Sequence, residues 1–91
     1  MDFHTQVVRQ MFIRSGEINE RIVAGDICSA KTGLPLARKL CEAFTSTLGS
    51  CGCQEISIDP FVAYGGWIGI SYSYNFRGQD FSGSAVVRSL S

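Results

Sequence analysis

The clearest structural signal in this chain is the segment Trp67-Ile68-Gly69-Ile70-Ser71-Tyr72-Ser73-Tyr74-Asn75-Phe76. From Ile68 onward, bulky apolar side chains fall at every second position, and small or polar side chains lie between them. Because side chains alternate between the two faces of a strand, this pattern predicts a strand with one aromatic, apolar face and one nearly bare face. The apolar face requires a helix or a second sheet against it.

A helix over residues 34–48 can supply that cover. Its apolar side chains recur every four residues, which is the spacing of one helix face; they are Leu36, Leu40, Phe44 and Leu48. Pro35 suits a first helical turn, and Thr32 is a plausible cap. Gly49 stands where glycine commonly ends a helix.

A further helix is predicted over residues 3–14, where apolar side chains again recur every four residues at Phe3, Val7 and Met11. Asp2 can cap this helix and Gly16 can end it. The alternative is a strand through residues 7–13, which the β-branched residues there favour. Residues 17–31 suit a short helix or a strand equally, so the pattern does not assign them.

Beyond residue 50 the apolar period changes to two, which indicates strands. The predicted strands cover about 54–64, 67–76 and 81–90. Pro60 breaks or bulges the first of them, and Gly65-Gly66 predicts a tight two-residue hairpin into the second. The segment Arg77-Gly78-Gln79-Asp80 forms the next turn. The sequence therefore predicts one α+β domain, residues 1–91, in which an antiparallel meander of three or four strands packs in two layers on the 34–48 helix.

Charge and apolar content restrict the partners. Eight Lys and Arg balance eight Asp and Glu, so neither a basic face for nucleic acid nor an acidic face for a cationic partner is indicated. Charged residues make up 18% of the chain, below the roughly 25% that is usual, while apolar residues reach 45%. A domain this small leaves part of its apolar surface outside, and such patches mark interfaces. We therefore expect a homodimer or a protein partner.

The first residues carry no basic region followed by an apolar run, and no window approaches the roughly 18 apolar residues of a membrane span. The expectation is a cytoplasmic protein without a membrane partner. Its four cysteines are then thiols, although the even count would suit two disulfides in an exported protein.

The cysteines also offer a thiol-redox or zinc alternative. Only Cys51 and Cys53 are closely spaced, whereas structural zinc sites bring their ligands in close pairs. Cys51-Gly52-Cys53 follows the predicted end of a helix, where the dipole raises a thiol pKa. We interpret these residues, with Cys28 and Cys41, as core and turn thiols.

No catalytic site, metal site or cofactor is predicted. His4 is the only histidine and lies near the start of the chain, so no Ser-His-Asp or Cys-His arrangement can be assembled from the pattern. The carboxylates near predicted turns are scattered and are interpreted as solvated; they are Asp26, Glu55, Asp59 and Asp80. The glycines lack the context of a phosphate-binding loop. We expect a protein that is not an enzyme.

A single-stranded nucleic-acid-binding module is a second alternative, in which Tyr72, Tyr74 and Phe76 would stack on bases. That use requires an exposed aromatic face flanked by Lys or Arg. After Lys39 the sequence contains only Arg77 and Arg88 as basic residues. Core packing of the three aromatic side chains is the preferred interpretation.

The predicted contact site consists of Phe61, Tyr64 and Trp67 around the double-glycine hairpin. Trp67 is out of phase with the apolar stripe, so it is expected on the bare face of the sheet, where an indole is an effective anchor for a partner. The bare track of Gly and Ser beside it would let another backbone approach, by strand addition or sheet stacking across a dimer. The alternative is an edge tryptophan that covers the N-terminal helix.

The predicted function follows from these points: a small non-enzymatic binding protein that occludes or bridges a protein surface. Compact single-domain chains without catalytic groups are common among phage and mobile-element products that inhibit host machinery. An inhibitor of that type is the expectation.

Overall fold

The computed structural model describes residues 2–86. Two helices, α1 (Phe3–Ala24) and α2 (Ala30–Ser50), precede three strands, β1 (Gln54–Val62), β2 (Ile68–Phe76) and β3 (Gln79–Val86). The strands form an antiparallel sheet in the order β1-β2-β3, and both helices lie on one face of it. This arrangement confirms the α+β meander. The third strand begins at residue 79 rather than 81, and residues 87–90 of the predicted strand lie outside the described part of the chain.

Helix α1 is longer than predicted. Asp2 caps it, since one carboxylate oxygen accepts a 2.7 Å hydrogen bond from the Thr5 N–H, and that bond lowers the pKa of Asp2. The helix ends at Gly25, whose φ of 87° is left-handed. The predicted stop at Gly16 and the rival strand are both wrong. An interior glycine costs a helix only about 1 kcal/mol, and packing of the next turn, where Ile18 is buried, outweighs it.

Helix α2 begins four residues before the prediction. Ser29, rather than Thr32, is the cap: its hydroxyl accepts from the Thr32 N–H, and the Thr32 hydroxyl accepts from the Ser29 N–H. Pro35 therefore lies in the helix interior instead of the first turn, where it removes one backbone hydrogen bond. Gly49 lies inside the helix, which ends at Ser50 with Cys51 as its C-cap.

The helix-facing side of the sheet forms the core, as the period of two predicts. Tyr72, Tyr74 and Ile70 of β2 are buried with Met11 of α1 and Leu48 of α2 in the larger cluster. A smaller cluster lies at the other end of the sheet and contains Ile18, Ala37 and Ile68. Neither helix is long and apolar enough to cross a membrane.

A buried side-chain amide joins α1 to β2. Asn19 Nδ2 donates to the Ile68 carbonyl at 3.2 Å, and Asn19 Oδ1 accepts from the Ile68 N–H at 2.9 Å. The amide thus forms the two hydrogen bonds that a residue of a neighbouring strand would form. Ser15 lies one turn earlier, and its buried hydroxyl has no hydrogen-bond partner within residues 2–86.

The two turns of the meander differ. Arg77 and Gly78, with φ of 54° and 81°, form a two-residue hairpin turn between β2 and β3, as positive φ at both positions requires. The connection between β1 and β2 is longer than the predicted two-residue Gly65-Gly66 turn. It spans residues 63–67 and contains a 3-10 turn, Tyr64–Gly66.

Candidate protein-interaction site

The predicted contact residues lie together at the β1–β2 connection, and with Val62 we call them the hairpin patch (Phe61, Val62, Tyr64 and Trp67). The connection is closed by two backbone hydrogen bonds, from the Ala63 N–H to the Trp67 carbonyl and from the Gly66 N–H to the Ala63 carbonyl. Gly66 also lies close to the start of α2, because a Cβ placed on it would be 3.8 Å from Ala30 Cβ. The hairpin patch therefore lies on a turn whose backbone is held by hydrogen bonds.

Tyr64 is the most exposed member of the patch, with a relative exposure of 102%. It is thus as accessible as in an extended chain, although it stands in an ordered turn. A tyrosine held in this way loses little side-chain entropy when a partner covers it, since it has two side-chain torsions to fix. Val62, which the sequence pattern did not indicate, is also half-exposed, but it pairs with Ile68 and so lies on the helix-facing side of β1.

Phe61 crosses the outer face of the sheet, opposite the helices. It pairs with Gly69 of β2, which pairs in turn with Val86 of β3. A Cβ placed on Gly69 would collide with the Phe61 ring and lie 2.6 Å from Val86 Cγ2. The ring thus fills the space that a larger residue at position 69 would occupy, and Phe61 remains half-buried without entering either core cluster.

Trp67 is half-buried against the turn. Its indole lies over Gly65, because a Cβ at that glycine would be 3.4 Å from Trp67 Cδ1. Trp67 is not among the residues packed on the two core clusters. Phe61, Tyr64 and Trp67 therefore all lie at the β1–β2 connection, and none of them packs on either core cluster.

The rest of the outer sheet face is polar and carries small side chains. By register, Ser57, Ser73 and Ser82 form one cross-strand row and Asp59, Ser71 and Ser84 the next. The outer face therefore changes along the strands from polar at the Arg77 turn to apolar at the hairpin patch. This gradient localises any apolar contact on this face to the hairpin end.

A second apolar region lies between α1 and the sheet at Tyr72 of β2, and the sequence pattern did not predict it. It is a groove of about 660 Å³ whose lining residues are His4, Thr5, Val8, Arg9, Phe12, Ile13 and Tyr72. Phe12 and Ile13 are 49% and 41% exposed. The pattern could not reveal the groove because it depends on where α1 crosses the sheet.

Tyr72 and Tyr74 of β2 are not available for stacking on bases, whereas Phe76 is half-buried with the Arg77 guanidinium 5.0 Å from its ring centroid. Tyr72 and Tyr74 are buried, and the Tyr74 hydroxyl makes a 2.7 Å hydrogen bond with His4 Nδ1. Burial raises the pKa of Tyr74 to about 12. The exposed aromatic sheet that the nucleic-acid alternative requires is therefore absent from the described part of β2.

The thiols are split between the core and the surface. Cys41 and Cys53 are buried, whereas Cys28 and Cys51 are exposed. Burial, with Asp59 and Glu42 nearby, raises the pKa of Cys41 to about 11, and burial also raises the pKa of Cys53. A raised pKa lowers the thiolate fraction and so the reactivity of both thiols. Within residues 2–86 no group of three His, Cys, Asp or Glu side chains is placed to hold a metal ion.

Cys41 also borders a second groove, of about 630 Å³, between α2 and β1. Its charged lining residues are Arg38, Glu42 and Asp59. The thiol is the strongest nucleophile in this groove and is held protonated, so the groove lacks an activated nucleophile of the kind that covalent catalysis uses.

Comparisons with protein-family models, with curated proteins and with solved structures return no match to this chain.

Proposed function

We propose that this chain is a non-enzymatic, cytoplasmic binding protein that covers or bridges a surface of another protein, and that the hairpin patch is its contact site. The proposal includes the type of activity expected from the sequence, inhibition of host machinery by a phage or mobile-element product. It rests on the chemistry of one site, because the comparisons offer no relative.

The observation that carries the proposal is the fully exposed Tyr64 on a hydrogen-bonded turn beside Trp67 and Phe61. Phe61 and Trp67 are half-buried, yet neither packs on either core cluster. Aromatic residues held outside the core on a rigid element are typical of interface hot spots. Their preorganisation lowers the entropic cost of binding.

The chemistry of the patch also indicates the character of the partner. No charged side chain belongs to the hairpin patch, and the small polar rows beside it carry one carboxylate per row at most. The contact is therefore expected to be apolar at its centre and only weakly dependent on salt, in contrast to nucleic-acid binding. The chain as a whole carries no net charge.

The experiment is affinity capture from native lysate with matched variants, followed by titration calorimetry with the captured protein. Tyr64→Ala and Trp67→Ala should each weaken the complex by about 30-fold or more, the effect of a hot-spot residue worth roughly 2 kcal/mol. Val23→Ala is the control, because Val23 is 73% exposed on α1 and lies outside the patch. Circular dichroism checks that each variant is folded.

Two outcomes would contradict the proposal. In the first, the captured protein binds Tyr64→Ala and Trp67→Ala as tightly as it binds the unaltered chain. In the second, retention disappears after nuclease treatment or falls log-linearly with salt, which would indicate nucleic acid.

A further inference from the structure

The two edges of the sheet differ in how they are protected. In an antiparallel pair, every second residue of a strand directs its backbone N–H and C=O groups to the partner strand. The Ala63 N–H bonds to the Trp67 carbonyl, so the odd-numbered residues of β1 bond to β2. The backbone groups of Pro60 therefore face the free edge. Pro60 offers no N–H there. The register also shifts between Gln54 and Ser57, where Glu55 has a φ of 51°. A proline and a bulge are two devices by which natural sheets prevent edge pairing.

The β3 edge has neither device. Its register with β2 runs without a shift from Phe76↔Gln79 to Gly69↔Val86. Because the two-residue turn closes on the Phe76↔Gln79 pair, odd-numbered β3 residues bond to β2. The backbone groups of the even-numbered residues therefore face outward; these residues are Asp80, Ser82, Ser84 and Val86. The strand contains no Pro, Lys or Arg, and within the described part of the chain it pairs with β2 alone.

The apolar groove between α1 and Tyr72 lies toward this same edge, because the Tyr72 hydroxyl reaches Gly83 of β3. Helix α1 runs parallel to β3, since the His4 ring stacks on Phe81 at 4.2 Å near one end and Asn19 bonds Ile68 near the other. Phe12, midway between His4 and Asn19, therefore lies level with the middle of β3. The half-exposed Phe12 and Ile13 thus flank the unprotected edge.

We propose that β3 pairs antiparallel with β3 of a second copy of this chain, with the two-fold axis at Gly83. This register lets all four outward-facing residues of each strand form hydrogen bonds, because it places Asp80 opposite Val86 of the partner and Ser82 opposite Ser84. The two three-stranded sheets become one continuous sheet. The two α1 helices then run antiparallel above the seam, and Phe12 and Ile13 of each copy cover those of the other.

Gly83 suits the position on the axis. It would meet its counterpart in a non-hydrogen-bonded pair, where the two backbones approach to about 4.5 Å. On the helix side its place is taken by the Tyr72 ring, since a Cβ at Gly83 would lie 2.6 Å from the Tyr72 hydroxyl oxygen. The absence of a side chain at position 83 therefore allows both the ring and a second strand to approach.

Charge and area are both compatible with this pairing. The chain has no net charge; Asp80 is the only charged residue of β3, and Arg9 of α1 also lines the groove. Its two copies would be about 20 Å apart, beyond the screening length of about 8 Å at physiological salt. The eight residues of β3 make the face about 27 Å long, and the smallest extent of the molecule is 19 Å. The resulting area is at most roughly 500 Å² per partner, just below the roughly 600 Å² per partner of smaller stable interfaces.

The first experiment measures mass by sedimentation velocity from about 1 to about 100 μM, the range in which modest interfaces assemble. The unaltered chain should reach twice its 9.9 kDa. Ser84→Pro, which removes an outward N–H, and Phe12→Lys, which places a charge at the seam, should each weaken the dimer at least tenfold. Tyr64→Ala and Val23→Lys are controls that should leave the mass unchanged.

The second experiment tests the register without destabilising the strand. Ser82→Cys and Ser84→Cys chains are prepared with exposed Cys28 and Cys51 replaced by serine, and they are oxidised separately and as a mixture. Cross-linking should be several-fold greater between the two different variants than between identical chains, because position 82 faces position 84 of the partner.

A monomer throughout the concentration range would overturn the proposal. So would a dimer that Ser84→Pro and Phe12→Lys, both folded by circular dichroism, leave intact, or equal cross-linking of like and unlike chains. The pairing uses β3 rather than the hairpin patch, so the two proposals can be tested separately. If Tyr64→Ala loses partner binding but still forms the dimer, the two functions lie on different surfaces.

Discussion

Replacement of Asn19 by alanine should be among the most destabilising single changes in this protein. The side chain is 1% exposed, and its partner Ile68 is fully buried. Within residues 2–86, both backbone groups of Ile68 bond to this one amide, at 2.9 and 3.2 Å. Truncation therefore leaves a donor and an acceptor without partners in a place that water does not reach.

The size of the effect follows from those two groups. A buried polar group left unsatisfied costs about 1 to 3 kcal/mol, so Asn19→Ala should lower the free energy of unfolding by roughly 3 to 4 kcal/mol. A domain of this length has a total stability of about 5 to 14 kcal/mol. The melting temperature should accordingly fall by roughly 15 °C or more.

Asn19→Asp gives a second, sharper readout because the two side chains have the same shape. An ionised carboxylate accepts from the Ile68 N–H but cannot donate to the Ile68 carbonyl, whereas a protonated carboxyl group can do both. Burial should raise the pKa of this carboxyl group in the folded state. The stability of Asn19→Asp relative to the unaltered chain should therefore be highest at low pH and be lost as pH rises through that raised pKa.

Urea unfolding followed by circular dichroism at pH 4.5 and pH 7.5 measures both effects. The matched controls are Asn75→Ala and Asn75→Asp, because Asn75 forms its hydrogen bonds to Asp80 and Gly78 at the exposed turn. These changes should cost about 1 kcal/mol or less. The reasoning is refuted if Asn19→Ala costs no more than Asn75→Ala, or if Asn19→Asp shows no relative gain at the lower pH.

Two further predictions concern Cys41 and Gly69. Burial raises the pKa of Cys41 from 9.0 to about 11, so the protonated thiol contributes stability that is complete below pH 9 and is lost as pH rises through 11. In chemical unfolding, the stability advantage of the unaltered chain over Cys41→Ala should therefore shrink by roughly 2 kcal/mol between pH 8 and pH 11. A difference that stays constant with pH would contradict this prediction. Gly69→Ala should lower the free energy of unfolding by about 1 to 2 kcal/mol, because the new methyl group displaces the Phe61 ring. In a Phe61→Ala background the same change should cost less, by at least about 0.5 kcal/mol, as a double-mutant cycle would measure. Additive effects of the two changes would count against that contact.

Much of the architecture could be predicted from local patterns. The alternation from Ile68 to Phe76 identified β2 and the face that is buried, because a strand exposes its two faces in turn whatever surrounds it. The four-residue spacing of Leu36, Leu40, Phe44 and Leu48 identified α2 for the same reason. The Asp2 cap was predicted correctly because its hydrogen bond is confined to one helical turn.

The errors arose where local signals competed with packing. Gly16 and Gly49 have the residue type of a helix stop, but both lie inside helices because the following turns pack or hydrogen-bond. The double glycine at 65 and 66 indicated a two-residue turn, yet its positive φ values serve a longer loop that rests on the start of α2. At Gly16 tertiary packing outweighed a preference of about 1 kcal/mol, whereas at Gly49 the local hydrogen bonds of the Cys51 N–H carry the helix one residue further.

The sequence by itself determined the 34–48 helix and the three strands, which face of β2 is buried, and which aromatic residues are out of phase with the core. Those properties depend on periodicity, which neighbouring residues set. Only the tertiary structure decided that Asn19 would replace a strand at Ile68, that Phe12 would border an open groove, and that β3 rather than β1 would have the unprotected edge. These features join residues far apart in the chain, and no local pattern encodes the position at which one element crosses another.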